Sequence, residues 1–137
     1  MSDDPLAPVR IGTPIVNGLS VDVEDWFQVG AFENVIERGA WDGLAMRVER
    51  NVEEILELFA AADVKATFFT LGWIARRNRA LMRRIAEQGH ELASHGWDHA
   101  RVFTMDRTGF AEDIRKARLE IEDAGGVAVK GYRAPSF

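Results

Sequence analysis

Residues 89–99, Gly-His-Glu-Leu-Ala-Ser-His-Gly-Trp-Asp-His, decide the fold. Gly89 is a C-terminal stop for the helical pattern of Asn78–Gln88, in which Leu81, Met82, Ile85 and Ala86 recur at inward spacing. Glu91–Ser94 then reads as a short strand, and a polar segment follows where that strand ends. His95 and His99 converge on one point if the backbone makes a single helical turn. Neutral imidazole is the commonest protein ligand for a divalent metal, and a carboxylate from elsewhere completes such a site while leaving positions for water. The pair uses two of only three histidines in the chain, and the acidic cluster Asp22-Val-Glu-Asp25 lies upstream. The pattern is that of a metal site.

The same alternation extends in both directions. Ile15–Val23 reads as a buried strand, interrupted by Asn17-Gly18 and ending at the acidic cluster. Trp26 to Leu44 is irregular and aromatic, with Trp26, Phe27, Phe32 and Trp41, as expected of a short helix and a loop folded over a site. Ala45–Ala62 is an amphipathic helix with Val48, Val52, Ile55, Leu56 and Phe59 on one face and a charged opposite face. Lys65–Leu71 is a second strand. Asp106–Ala124 is a helix capped by Asp106 or Thr108 and stopped by Gly125-Gly126. Val127–Tyr132 is a fourth strand, running into Arg133-Ala-Pro-Ser-Phe137. Strands alternating with helices predict right-handed crossovers and a parallel sheet. Asp22–Asp25, His95–His99 and Arg133–Phe137 each follow a strand, the edge on which α/β barrels carry their chemistry.

Composition narrows the class. The 137 residues fit one domain, with 47% hydrophobic and 28% charged residues, and residues 1–14 form a polar lead containing Pro5, Pro8 and Pro14. Seventeen basic against 22 acidic residues give a net charge of −5, which argues against nucleic acid or an anionic membrane as partner. Without cysteine, disulfides and thiolate metal sites are excluded. No stretch has the length of a membrane span or a signal-peptide core, so the expected location is the cytoplasm.

The ordered set SVDVEDWF, GHELASHGWDH and YRAPSF resembles the polysaccharide deacetylase family, also called the NodB-homology or carbohydrate esterase 4 family. The resemblance is greatest to its exosortase- and exopolysaccharide-associated branch, and it covers nearly all of the chain after the first dozen residues. It implies a distorted (β/α) barrel of which residues 15–137 form the N-terminal portion. The implied activity is metal-dependent hydrolysis of N-acetyl groups on a polysaccharide or its precursor, so that the partner is an N-acetylated glycan.

Carried over by position, the resemblance makes Asp22 the general base and His95 and His99 metal ligands. The third ligand is an acidic residue following the base, either Glu24 or Asp25. Strand alternation puts Glu24 on the face of Asp22, whereas a bulge at the strand end presents Asp25; Asp25 is narrowly favoured. Arg133 matches the arginine that pairs with the base, Pro135 stiffens its loop and Phe137 could wall the sugar site. Zinc is the default metal for this donor set, and cobalt, nickel or iron would suit it. Trp97 is expected to pack against the metal loop, His90 to be structural, and Trp26, Phe27 and Trp41 to pack as core or lid.

Two departures stand out. Gly96 replaces the Ser or Thr of many relatives without altering the histidine spacing. The family's later strands bear a histidine acting as general acid, and this chain has none after His99. It is therefore expected to be the N-terminal portion of such a domain, weak or inactive by itself and prone to self-association through an open sheet edge. Hydrolysis of a cyclic amide, or a non-catalytic metal- or glycan-binding role, are the alternative expectations.

Overall fold

In the computed structural model, which describes Gly12 and residues 14–136, three parallel strands form one sheet in the order β1 (Ser20–Val23), β2 (Thr67–Thr70) and β3 (Glu91–Ser94). The register aligns their C-terminal ends, pairing Val23 with Thr70 and Thr70 with Ser94. Four α-helices accompany the sheet: α1 (Val48–Ala61), α2 (Gly72–Arg77), α3 (Arg79–Glu87) and α4 (Arg107–Gly125). The parallel α/β alternation expected from sequence is present. Among the described residues no helix is long and apolar enough to cross a membrane.

The core lies where the helices cover the sheet. Phe68, Leu92 and Val23 from the strands meet Val52 and Leu56 of α1, Leu81, Met82 and Ile85 of α3, and Ile121 of α4, all buried. Val52, Leu56, Leu81, Met82 and Ile85 are among the positions that the helical period selects, while the selected Ile55, Phe59 and Ala86 are partly buried; each large side chain fully buried contributes about 1.5–3 kcal/mol. Asp106 caps α4 by accepting the Gly109 N–H at 2.7 Å, and Gly126 ends it in the left-handed region at φ 71°.

Four local expectations are corrected. The first strand is confined to Ser20–Val23, because Ile15 and Val16 are 79% and 92% exposed and ladder contact with β2 begins where Thr67 N–H donates to the Leu19 carbonyl. The fourth strand shrinks to one parallel bridge, Tyr132 with Ser94. Upstream of that bridge a side chain takes the ladder's donor, since Val129 N–H bonds Glu122 Oε1 at 2.9 Å. Residues 72–77, left unassigned by periodicity, form α2, a helix too short to show a period. Between Trp26 and Leu44 the helical pieces are 3-10 turns at Gly30–Phe32 and Arg38–Gly43. The prolines at 5 and 8, and Phe137, lie outside the described residues.

Candidate metal centre

Aligned strand ends bring the three polar motifs to one level. Glu24 follows the last residue of β1, His95 follows the last residue of β3, and Arg133 follows the Tyr132–Ser94 bridge. Backbone bonds fix those exits: His95 N–H donates to the Thr70 carbonyl at 2.8 Å, and Arg133 N–H to the Ser94 carbonyl at 2.9 Å.

The segment His95–His99 is an open loop and not the helical turn expected from the spacing. Gly96 and His99 both have positive φ, 82° and 62°. The loop folds over the start of α2, whose first two N–H groups, on Gly72 and Trp73, donate to the Gly96 and Trp97 carbonyls at 2.9 Å each. From the other side Asp113 of α4 accepts the Trp97 N–H at 3.2 Å, and burial pushes the Asp113 carboxyl above its ordinary pKa. Trp97 packs as expected, with Arg76 and Lys116 placed over its ring at 4.6 and 3.6 Å. Convergence of the imidazoles therefore comes from tertiary anchoring, and their ring centroids stand 5.3 Å apart.

Glu24, His95 and His99 form the cluster in which one donor atom from each lies within 4.8 Å of the others. Glu24 Oε2 is 3.0 Å from His99 Nε2 and 3.8 Å from His95 Nε2. That oxygen is buried and makes no hydrogen bond. His95 Nδ1 lies 2.8 Å from the Arg133 carbonyl. A carbonyl only accepts, so Nδ1 carries the proton and Nε2 presents a lone pair to the cluster. Burial holds His95 below the ordinary imidazole pKa, an effect partly offset by the Arg133 carbonyl and by the Asp22 and Glu24 carboxylates. A neutral imidazole is the form that ligates metals. Donors of a four-coordinate ion with bonds of about 2.0–2.2 Å stand about 3.3–3.6 Å apart. An orphaned carboxylate oxygen facing two imidazole nitrogens at bracketing distances fits such an ion.

Asp25, narrowly favoured from sequence as the third ligand, does not join this cluster; Glu24, the other candidate, does. Its side chain is turned the other way and committed to backbone: Oδ2 accepts the N–H groups of Arg47 and Val48 at 2.8 and 3.0 Å, and Oδ1 accepts that of Trp26 at 2.9 Å. It thus anchors the start of α1 to the end of β1, a long-range role without a local sequence signature. The strand alternation that puts Glu24 on the face of Asp22 agrees with the placement of Glu24 beside His95 and His99.

Asp22 stands beside the cluster and is exposed. Arg133 Nη1 donates to Asp22 Oδ1 at 2.6 Å and Nη2 to Ser20 Oγ at 2.7 Å, so one guanidinium grips β1 at two points. The guanidinium also lies 4.0 Å above the Phe69 ring. Ser20 was not singled out by sequence reasoning, which had no reason to prefer one serine over another. His90 is structural, as expected: Nδ1 accepts the Ala66 N–H at 3.1 Å between Phe59 and Phe68. Phe27 and Trp41 are buried in an aromatic cluster with Trp73.

The described residues thus form a parallel α/β layer with an acid–imidazole cluster at the carboxyl ends of its strands. A family model, that of polysaccharide deacetylases, matches residues 40–136, and the chain belongs to that family. It is 35% identical over 83 residues to a chitooligosaccharide deacetylase of Sinorhizobium fredii, covering 60% of this chain and 39% of that protein. It is 32% identical over 81 residues to a peptidoglycan-N-acetylglucosamine deacetylase of Listeria monocytogenes, covering 59% of this chain and 17% of the relative. The fold is also that of a carbohydrate esterase 4 family pseudoenzyme from Bacillus anthracis, with a TM-score of 0.66 at 23% identity over 87% of this chain and 34% of the other. The chain thus spans well under half the length of these relatives, and the fold neighbours place it as the N-terminal part of a NodB-type (β/α) barrel.

Proposed function

We propose that this chain carries the metal-binding and base half of a hydrolase that removes acetyl groups from an N-acetylated glycan. Glu24, His95 and His99 would hold a divalent cation, with zinc the first choice for a carboxylate and two imidazoles. When bound, such a cation supplies Lewis-acid polarisation of the acetamide carbonyl and an acidified water. Asp22 serves as the proton acceptor, and a weak carboxylate base suffices for a water of pKa near 7. Arg133 orients that carboxylate. The Arg133 carbonyl, through His95 Nδ1, keeps the Nε2 lone pair aimed at the cluster. For the polymer we favour an exopolysaccharide, on the resemblance of the ordered set SVDVEDWF, GHELASHGWDH and YRAPSF to that branch.

The observation that carries this reading is the buried, unbonded Glu24 Oε2 facing both Nε2 atoms. The test is elemental analysis of the purified chain and of Glu24→Gln, His95→Ala and His99→Ala, alongside acetate release from chitotriose by the protein in its full length. One tightly held divalent ion per chain, lost in all three variants, and acetate release dependent on that ion are expected. Undiminished metal in the variants would overturn the site. Acetate release unchanged by chelation would overturn its role.

A further inference from the structure

The two imidazoles of the metal centre are not held alike. His95 is fixed at two points, since its backbone N–H donates to the Thr70 carbonyl at 2.8 Å and its ring Nδ1 meets the Arg133 carbonyl at 2.8 Å. Among the described residues, neither the backbone of His99 nor its ring Nδ1 makes a hydrogen bond. Yet His99 is the imidazole nearer Glu24, at 3.0 Å against 3.8 Å for His95. It also sits at φ 62°, in the left-handed region that a residue with a Cβ occupies only where its surroundings hold it there.

The hold comes through the residue before it. Arg38 Nε meets Asp98 Oδ2 at 3.1 Å, and Nη2 of the same guanidinium donates to the Asp98 carbonyl at 3.3 Å. That carbonyl shares one planar peptide unit with the His99 N–H, so fixing its direction fixes the bond about which φ of His99 turns. Among the described residues no other hydrogen bond reaches the backbone of residues 98–100. The guanidinium is itself braced. Arg38 opens the 3-10 segment Arg38–Gly43, and its Cζ lies 5.6 Å from the centre of the Trp41 ring, which is buried against Phe27 and Trp73. Arginine suits this position because its planar fork reaches a carboxylate and a main-chain oxygen at fixed angles, which an ammonium does not.

We propose that Arg38 is a positioning residue for the metal centre: by gripping the Asp98 peptide it sets the left-handed turn at His99 and so aims Nε2 at Glu24. The proposal rests on the reading of Glu24, His95 and His99 as metal donors, and its own content is what holds the less anchored of the two histidines. A second ion pair joins neighbouring stretches of chain, Arg101 with Glu33 at 3.0 Å, but touches no peptide of residues 95–99 and so provides the control.

The test combines zinc affinity by chelator competition, the visible spectrum of the cobalt-loaded chain and the thermal melt of the metal-free chain. Each is measured in wild type, Arg38→Ala, Arg38→Lys and Arg101→Ala. Arg38→Ala should weaken zinc about tenfold, the lower end of the range for losing an outer-shell partner. Its cobalt bands should change in position and intensity. Its metal-free melt should keep the wild-type midpoint, because an exposed ion pair adds little stability. Arg38→Lys should resemble Arg38→Ala, and Arg101→Ala should resemble wild type. Wild-type affinity and bands in Arg38→Ala, full rescue by lysine, an equal loss in Arg101→Ala, or a parallel fall in the metal-free melt would each overturn the positioning role. A wild-type chain that takes up neither zinc nor cobalt would overturn the metal centre itself, and the role of Arg38 with it. Absence of acetate release with the expected affinities and spectra intact would count against the proposed reaction and leave that role standing.

Discussion

Arg133 Nη1 and Asp22 Oδ1 meet at 2.6 Å across 111 residues of sequence, joining the last described motif to the first strand. The contact is set by topology. Tyr132 bridges β3, β3 pairs with β2, and β2 pairs with β1, so a residue just past the bridge can reach over the sheet to β1. Phe69 of the intervening strand lies beneath the guanidinium at 4.0 Å, and Ser20 holds its second terminal nitrogen. A planar cation suits this setting because it stacks on the ring and reaches two acceptors at once.

Replacing Arg133 by lysine is therefore expected to act as a substantial change. The ammonium keeps the charge but loses the planar stack and one of two fixed contacts. On the proposed function, acetate release should fall by about 10²-fold, the scale at which a misplaced catalytic group is felt. The metal content should stay close to wild type, because the His95 bond uses the backbone carbonyl of residue 133. Steady-state kinetics with parallel elemental analysis checks both halves. Equal loss of metal and rate would move Arg133 from positioning the base to supporting the metal.

Glu24 and Asp25 are neighbours with opposite assignments, and their amide variants should separate them. Glu24→Gln should lower metal affinity about 10–100-fold or more while leaving the thermal midpoint of the metal-free protein little changed. Asp25→Asn should keep one metal per chain but destabilise the fold by about 1–3 kcal/mol, the range for weakening buried hydrogen bonds to a charged acceptor. That cost reflects three backbone donors, on Trp26, Arg47 and Val48, that now face an amide in place of a carboxylate. Denaturant melts and metal analysis of both variants provide the check.

His90 gives a pH dependence with a definite sign. Burial, with a smaller contribution from Lys65, lowers its pKa below the ordinary value of 6.5. Above that value both folded and unfolded chains hold a neutral ring, and the group contributes no pH dependence. As pH falls through 6.5 the unfolded chain takes up a proton that the fold resists, so stability declines toward acid. The His90→Gln variant cannot take up that proton and should show a flatter stability profile between pH 7 and 5. Urea midpoints across that range, with metal removed, measure the difference. An unchanged slope would assign the acid sensitivity to other groups.

Much of the architecture was legible because periodicity records which face is buried. The inward positions Val52, Leu56, Leu81, Met82 and Ile85 are all buried, and the stops at Gly89 and Gly126 both have positive φ. Three polar motifs following strands likewise announced a shared edge. What escaped was tertiary in origin. No local pattern says that Asp25 turns toward Arg47 and Val48, that Glu122 takes the Val129 donor from a fourth strand, or that Ser20 receives Arg133. The His95–His99 spacing pointed to convergence correctly but to the wrong backbone, because α2 and Asp113 hold the loop open.

Gly72 is where that anchoring is tightest. A Cβ there would lie 2.6 Å from Trp97 Cε3 and 2.9 Å from Ala117 Cα, a clash with both the metal loop and the α4 backbone. Helical backbone is open to alanine, so a Gly72→Ala exchange would gain intrinsic propensity by about 1 kcal/mol if space allowed. Overpacking at a site with no flexible neighbour to yield costs about 1–3 kcal/mol, and here that term should win. The strain falls on the segment whose Gly96 and Trp97 carbonyls receive the first N–H groups of α2. Gly72→Ala should therefore lower the thermal midpoint and weaken metal binding together, although residue 72 contributes no donor atom. Isothermal titration of zinc into the metal-free variant, paired with a thermal melt, is the measurement. A stable variant with wild-type zinc affinity would show that the loop holds its histidines without the close approach of α2.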